Sequence, residues 1–277
     1  MKGLPVRQMP GISALVRRVA RVAVAMAFVA TLVPTASANG LRMPSQVGIG
    51  GMVVVTPTYE GSNRYEAVGV PLIDLDPDSK AAGLIDVEGV DDIRLRLFRA
   101  GGFEAGPLFG YRFGREESDG PRLLGMGEID GGVVVGGYAG YRFGSLFPFV
   151  SYHHQVSGDD TGGVARFGLE LKHNLSSRIA LTTVAGASWA NDDYMQSYFG
   201  VSAAQAITSA HAQFQADAGL KDAFLGMTAD VRLTDLWSLK LTGRYAHLLG
   251  DAADSPITAS EHQLFGGVGL TYKFSLR

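Results

Sequence analysis

The chain has no cysteine, which excludes a disulfide framework, a thiolate nucleophile, a thiolate zinc site and a cysteine-held iron–sulfur cluster. Charge is sparse, at 18% of residues, and the formal net charge is −3. No general basic field is therefore available for gripping nucleic acid. Proline is scarce, with 11 residues, whereas glycine is abundant, with 37 and no collagen-like period. That pairing fits neither a triple helix nor a disordered low-complexity chain. What remains is 277 residues with 46% hydrophobic content, enough for one large domain or two small ones.

The first 38 residues read as an export signal. Lys2, Arg7, Arg17, Arg18 and Arg21 precede an apolar run from Val22 to Val33, and Ala36-Ser37-Ala38 supplies a small-residue cleavage pattern. The run stops at Pro34 and is too short for a membrane-spanning helix, which needs about 20 apolar residues. Cleavage is expected between Ala38 and Asn39, which leaves residues 39–277 as the working domain. This mature portion holds 19 basic and 27 acidic residues, a net charge of −8.

No stretch of the mature chain looks like a spanning helix, yet segments of about ten residues alternate strictly. Ala165, Phe167, Leu169 and Leu171 oppose Arg166, Gly168, Glu170 and Lys172. Leu225, Met227, Ala229 and Val231 oppose Gly226, Thr228, Asp230 and Arg232, and Leu239 and Leu241 oppose Lys240 and Thr242. A period of two means strand. A soluble sandwich would also alternate. Export, interleaved charges of both signs on the polar faces, and aromatics at strand ends favour the inverse arrangement, with apolar side chains facing lipid and polar ones lining a lumen. The pentapeptide Gly-Tyr-Arg-Phe-Gly occurs at Gly110 to Gly114 and again at Gly140 to Gly144, where Tyr and Phe share a face and Arg points the other way.

The predicted fold is all-β, a transmembrane antiparallel up-and-down β-barrel of about 12 strands, with 10 to 14 possible. Strands are expected near 46–56, 68–76, 82–90, 92–99, 102–113, 131–143, 146–156, 163–174, 178–190, 221–233, 236–248 and 262–274. Residues from Asn191 to about Leu220 read as an extended loop carrying short structure. Near the C-terminus, Gly269, Tyr272 and Phe274 resemble the signal read by the barrel insertion machinery, an expected partner. The chain differs from that signal in continuing through Ser275, Leu276 and Arg277.

Several blocks resemble the MipA/OmpV family of outer-membrane proteins, also called MltA-interacting proteins. They are Pro57-Thr58-Tyr59-Glu60-Gly61-Ser62, Leu124-Gly125-Met126-Gly127-Glu128-Ile129, Trp189-Ala190-Asn191-Asp192-Asp193-Tyr194-Met195, Tyr198-Phe199-Gly200-Val201, and Gly250-Asp251-Ala252-Ala253-Asp254-Ser255-Pro256-Ile257. The resemblance implies an outer-membrane β-barrel in a Gram-negative bacterium. It also implies a scaffold role, bringing a lytic murein transglycosylase together with a peptidoglycan synthase. Other members are associated with adhesion, osmotic or antibiotic response.

No motif points to chemistry. His153 and His154 are adjacent on a strand and face opposite ways, so they do not chelate one ion together. Ser151 and His153 share a face without an identified orienting partner. Asp159-Asp160-Thr161-Gly162 lacks the ligand pattern of a calcium loop and reads as a hairpin turn. Gly48-Ile49-Gly50-Gly51 has no helix after it and does not read as a phosphate loop. No catalytic residue, cofactor or metal is expected, and lipid is the expected surrounding medium. Asp192, Asp193, Tyr198 and Phe199 form a candidate partner-contact loop, with an interfacial anchor as the equal alternative. The favoured function is a non-enzymatic scaffold for murein-remodelling enzymes. A small-solute pore is its rival, motivated by Arg166, Glu170, Lys172, Asp230, Arg232, Lys240 and Arg244, although those charges can pair and plug a narrow lumen.

Overall fold

A computed structural model describes residues 46–75 and 84–275. The proposed cleavage site at Ala38 and Asn39, and the terminal Leu276 and Arg277, lie outside the described residues. Among the described residues thirteen strands form one antiparallel sheet. They are β1 (Gln46–Pro57), β2 (Tyr65–Leu75), β3 (Ile85–Gly89), β4 (Asp92–Leu95), β5 (Phe98–Ala100), β6 (Phe103–Arg112), β7 (Gly132–Tyr141), β8 (Leu146–Gln155), β9 (Gly163–Ser176), β10 (Ile179–Ala190), β11 (Gly219–Arg232), β12 (Trp237–Leu248) and β13 (His262–Ser275). The order is β2-β1-β13-β12-β11-β10-β9-β8-β7-β6-β4-β3, with β5 also paired to β6. Since β4 and β5 both lie against β6, they occupy one position, and the curled wall has the twelve positions expected. Among the described residues no ladder joins β2 to β3.

The break between β4 and β5 has a chemical cause. β4 pairs with Phe109 and Leu108, and β5 with Ala105 to Phe103, so Gly106 and Pro107 are skipped. Pro107 has no N–H to offer a ladder, and the neighbouring strand loosens opposite it. Pro148 likewise stands just beyond the last β7–β8 pair, Gly140 with Phe149.

Alternation is inverted relative to a soluble protein. Ile49, Val53, Phe167, Leu169, Leu225, Met227 and Leu241 are exposed on the outer face, while Arg94, Glu104, Ser151, Glu170 and Asp222 are buried. An outer apolar belt of this kind is what hydrocarbon requires of a spanning sheet. Aromatic pairs ring both ends. Tyr141–Phe143, Trp237–Tyr272 and Tyr272–Phe274 have centroids 4.5, 5.0 and 4.8 Å apart at one end, and Tyr111–Phe113 lie 5.7 Å apart at the other. The two copies of Gly-Tyr-Arg-Phe-Gly therefore mark opposite ends, because β6 leaves and β7 returns. Arg112 and Arg142 point inward in both.

The two ends differ in their connections. At one end, residues 101–102, 142–145, 177–178 and 233–236 are tight turns. At the other, residues 58–64, 113–131, 156–162, 191–218 and 249–261 form loops, and these fold into a cap. The longest loop, expected to carry short structure, contains α1 (Asp192–Phe199) and α2 (Ala203–Thr208), while α3 (Gly250–Asp254) lies in the last loop.

Candidate functional site

The cap is where the family-like blocks converge. Asn191 caps α1: its Oδ1 accepts from the Tyr194 N–H at 3.1 Å and from the Gly163 N–H at 2.9 Å, tying the helix start to β9. Four apolar or aromatic side chains at helical spacing, Tyr194, Met195, Tyr198 and Phe199, then point into the mouth of the barrel. They pack with Val164, Ala190, Ala216, Leu248 and Ala252. A second cluster joins Tyr59, Leu123, Met126, Val201 and Ile257. Burial of a large side chain contributes roughly 1.5–3 kcal/mol, so these clusters give the loops a core of their own.

Polar groups lock the same elements. The orphan carbonyls at the end of α1 are met from other loops: Arg115 Nη1 donates to the Tyr198 carbonyl at 3.1 Å, and Ser255 Oγ to the Phe199 carbonyl at 2.5 Å. The hydroxyls of Tyr198 and Tyr59 donate to the carbonyls of Phe113 (3.2 Å) and Ile257 (3.1 Å). Gly125 is needed where α2 meets the 113–131 loop. It has φ +78, and a Cβ there would lie 2.0 Å from the Thr208 carbonyl oxygen. Burial pushes the Tyr194 phenol well above its ordinary value and the Tyr198 phenol up to about 12. Burial also lowers the Arg115 guanidinium, whose Nε has no hydrogen-bond partner.

A charged latch fastens the cap to the wall. Lys221 Nζ at the start of β11 lies 2.6 Å from Glu60 Oε1 of the first loop and 2.7 Å from Asp222 Oδ2. The Tyr194 hydroxyl donates to Glu60 Oε2 at 2.7 Å, and Ser188 Oγ to Asp222 Oδ1 at 2.8 Å. Arg112, stacked 4.7 Å over the Tyr194 ring, donates to the Gly162 carbonyl at 3.0 Å. Outside this core the cap is strongly acidic. Its five loops hold fourteen Asp and Glu against three Arg and no Lys.

The candidate contact residues divide. Asp192 and Asp193 are exposed in the first turn of α1, where negative charge suits the helix dipole. Tyr198 and Phe199 are 6% and 0% exposed, so their rings face the cap core rather than solvent. The loop Asp159-Asp160-Thr161-Gly162 is a turn, with Asp160 at φ +44 and the Asp159 carboxylate accepting from the Asp130 N–H at 2.6 Å.

Below the cap the lumen is crossed by ion pairs. Arg166 pairs with Asp91, Lys240 with Asp230, Arg94 with Asp92 at 2.8 Å, and Lys172 with Glu170 at 3.3 Å. Glu104 collects Arg96, Arg99 and Arg142 within 3.1 Å. Ser151 Oγ lies 2.8 Å from His153 Nε2, and His153 Nδ1 lies 3.0 Å from the Asp91 carbonyl oxygen. That carbonyl can only accept, so Nδ1 carries a proton, and in the neutral ring Nε2 then accepts from Ser151. With exposures of 1% and 0%, this pair is walled in by the structure around it. His154, on the outer face, stacks on Tyr152. Among the described residues no group of three His, Asp or Glu is placed to hold a metal ion.

Several solved structures are similar to this chain. NanC porin is 9% identical, covering 83% of this chain and 100% of that one with a TM-score of 0.39. The translocator domain of autotransporter NalP from Neisseria meningitidis is 14% identical, covering 94% and 99%, also at 0.39. The anion-selective porin from Comamonas acidovorans is 12% identical, covering 83% and 98%, at 0.31. No curated protein matches the chain. The family described as MltA-interacting protein MipA matches residues 49–274. That match runs from the first strand to the last and includes every loop of the cap, and this chain, an outer-membrane β-barrel protein, belongs to that family.

Proposed function

We propose that the protein is a non-enzymatic interaction barrel in the outer membrane of a Gram-negative bacterium, holding murein-remodelling enzymes, a lytic transglycosylase and a peptidoglycan synthase, at the periplasmic face. Residues 1–38 are, in this reading, the export signal removed between Ala38 and Asn39. The family's description as MltA-interacting supports this partner class. The observation that favours a scaffold over an open pore is the cap: the family blocks fold into a cored lid fastened by Lys221 and Glu60, above a lumen crossed by ion pairs. A barrel closed in this way works through its ends.

Spanning barrels keep short turns on the periplasmic side and long loops outside. The tight-turn end is then the docking end, with Arg99, Arg178 and Arg232 exposed near its rim. The test places a photo-crosslinking residue at Gly144 in a tight turn, or at exposed Ile207 in the cap, in living cells. Capture of a murein hydrolase or synthase from Gly144 but not Ile207 is expected. Capture of assembly factors alone from Gly144 would remove the scaffold reading, and stepwise conductance of folded protein in bilayers would favour the pore.

A further inference from the structure

The inner wall is divided. From β4 to β9 it combines paired charges with a closed cluster of Leu108, Val134, Tyr138, Phe147 and Phe149, whereas β1, β2 and the facing part of β13 present an apolar strip without charges: Met52, Val54, Val68, Val70, Leu72 and Phe265. Glycines on the same face let these side chains lie flat. A Cβ at Gly267 would meet Met52 Sδ and Val54 Cγ1 at 3.0 Å, and one at Gly269 would meet Leu72 Cδ1 at 2.5 Å. Met52, Val54 and Val68 are buried, while Val70, Leu72 and Phe265 keep part of their surface open. The open part of an apolar strip on a polar inner wall is unfavourable unless something apolar covers it.

Beside the strip stands Arg244, register partner of Phe265, with its guanidinium carbon 4.2 Å over the Phe224 ring. Lumen-facing Arg94, Arg166, Lys172, Lys221 and Lys240 each have a carboxylate within ion-pairing distance. Arg244 has no hydrogen bond and no ion pair within 4 Å among the described residues; Asp222, Asp91 and Glu60 act on it only from beyond contact and are themselves engaged by Lys221 and Arg166. A guanidinium with no anion in contact, next to an apolar strip, is complementary to one chemical class.

We propose that the lumen binds a single-chain anionic amphiphile, its carboxylate or phosphate head on Arg244 and its alkyl chain along the strip toward Leu72. The guanidinium fork suits either head by paired N–H···O bonds. From Val68 to Leu72 the strand runs about 13 Å at ~3.3 Å per residue, room for a medium-length chain. This site is independent of any partner at the turn end.

The test uses the full barrel in nanodiscs of zwitterionic lipid, titrated with carboxyl-labelled laurate or with dodecyl phosphate and followed by NMR of the head nucleus. Saturable binding of at least one probe is expected, with the tighter one identifying the head. Arg244→Gln should weaken it at least tenfold, as should replacing the probe by dodecanol. Val70→Asp, at a half-open position, should do the same while leaving the heat-modifiable gel band of the folded barrel intact. Binding no better than to nanodiscs holding an unrelated barrel would overturn the proposal, as would equal affinity of wild type and Arg244→Gln.

Discussion

At the tight-turn end, the four turns at 101–102, 142–145, 177–178 and 233–236 have two to four residues and need little beyond their own backbone geometry. At the cap end, loops far apart in sequence supply one another's core: Tyr59 rests on Leu123, Val201 and Ile257, and α1 is held by Arg115 and Ser255. Stability at the first end is local, and at the second it is cooperative. The wall between them relies on ladders and lipid, so the cap can come loose while the barrel stands. Segments with their own contact network open as units of this kind.

The largest expected effect tests that independence directly. Phe199→Ala removes a fully buried ring from the cap core, a change that costs about 3–5 kcal/mol. Protease cleavage within 201–218 should accelerate sharply while the heat-modifiable gel shift of the barrel persists. If cap and barrel fail at the same denaturant concentration, the two ends are one cooperative unit and the contrast collapses. Next is Lys221→Met, which leaves Glu60 and Asp222 facing each other without their cation. Breaking a buried pair on one side costs about 3 kcal/mol, and neutralising the acids in the same background, with Glu60→Gln and Asp222→Asn, should recover much of it. Protection of loop amides from hydrogen exchange reads both changes.

Alkaline pH sharpens the comparison further. The Tyr198 phenol titrates near 10.0 when unfolded and is pushed up to about 12 by burial in the cap. Its contribution is complete below pH 10 and declines as pH rises toward 12, because the unfolded loops then gain by ionising. Two units correspond to roughly 2–3 kcal/mol, and Tyr194 shifts the same way. Phenolate absorbance should therefore appear together with cap proteolysis in that window, with the strand signal unchanged. Tyr198→Phe should flatten much of this pH dependence; an unaltered profile would assign it elsewhere.

The wall was legible and the cap was not, for one physical reason. Strand alternation is a period written in consecutive residues, so Phe167, Leu169 and Leu171 announce an outer face without knowledge of any neighbour. Even the skipped pairing opposite Pro107 follows from a local property. The cap depends on contacts between residues as distant as Tyr59 and Ile257, and its segments show no extended period. Tyr198 and Phe199 illustrate the ambiguity: aromatics beside carboxylates in a long loop look like surface anchors, and only the i, i+4 spacing from Tyr194 to Tyr198 and from Met195 to Phe199 hints at one buried helix face. Arg244 was visible as a lumen charge, but its lack of an anion in contact depends on where the other strands place theirs.

The smallest effect separates backbone strain from packing. Gly125 in the cap and Gly144 in a tight turn both have positive φ, +78 and +60. An alanine in that region costs roughly 1–2 kcal/mol through its Cβ and its own carbonyl, and this share is common to both sites. Around Gly144 a Cβ meets nothing within 4 Å, whereas at Gly125 it would strike the Thr208 carbonyl oxygen that faces it across the loop contact. Gly144→Ala should therefore show only the shared cost in thermal unfolding of the barrel, while Gly125→Ala should add a displacement of α2, read as faster exchange of the Gln205 and Thr208 amides. Equal effects at the two positions would mean that the cap yields as easily as a turn, and its loops would then be a flexible cover, not a folded one.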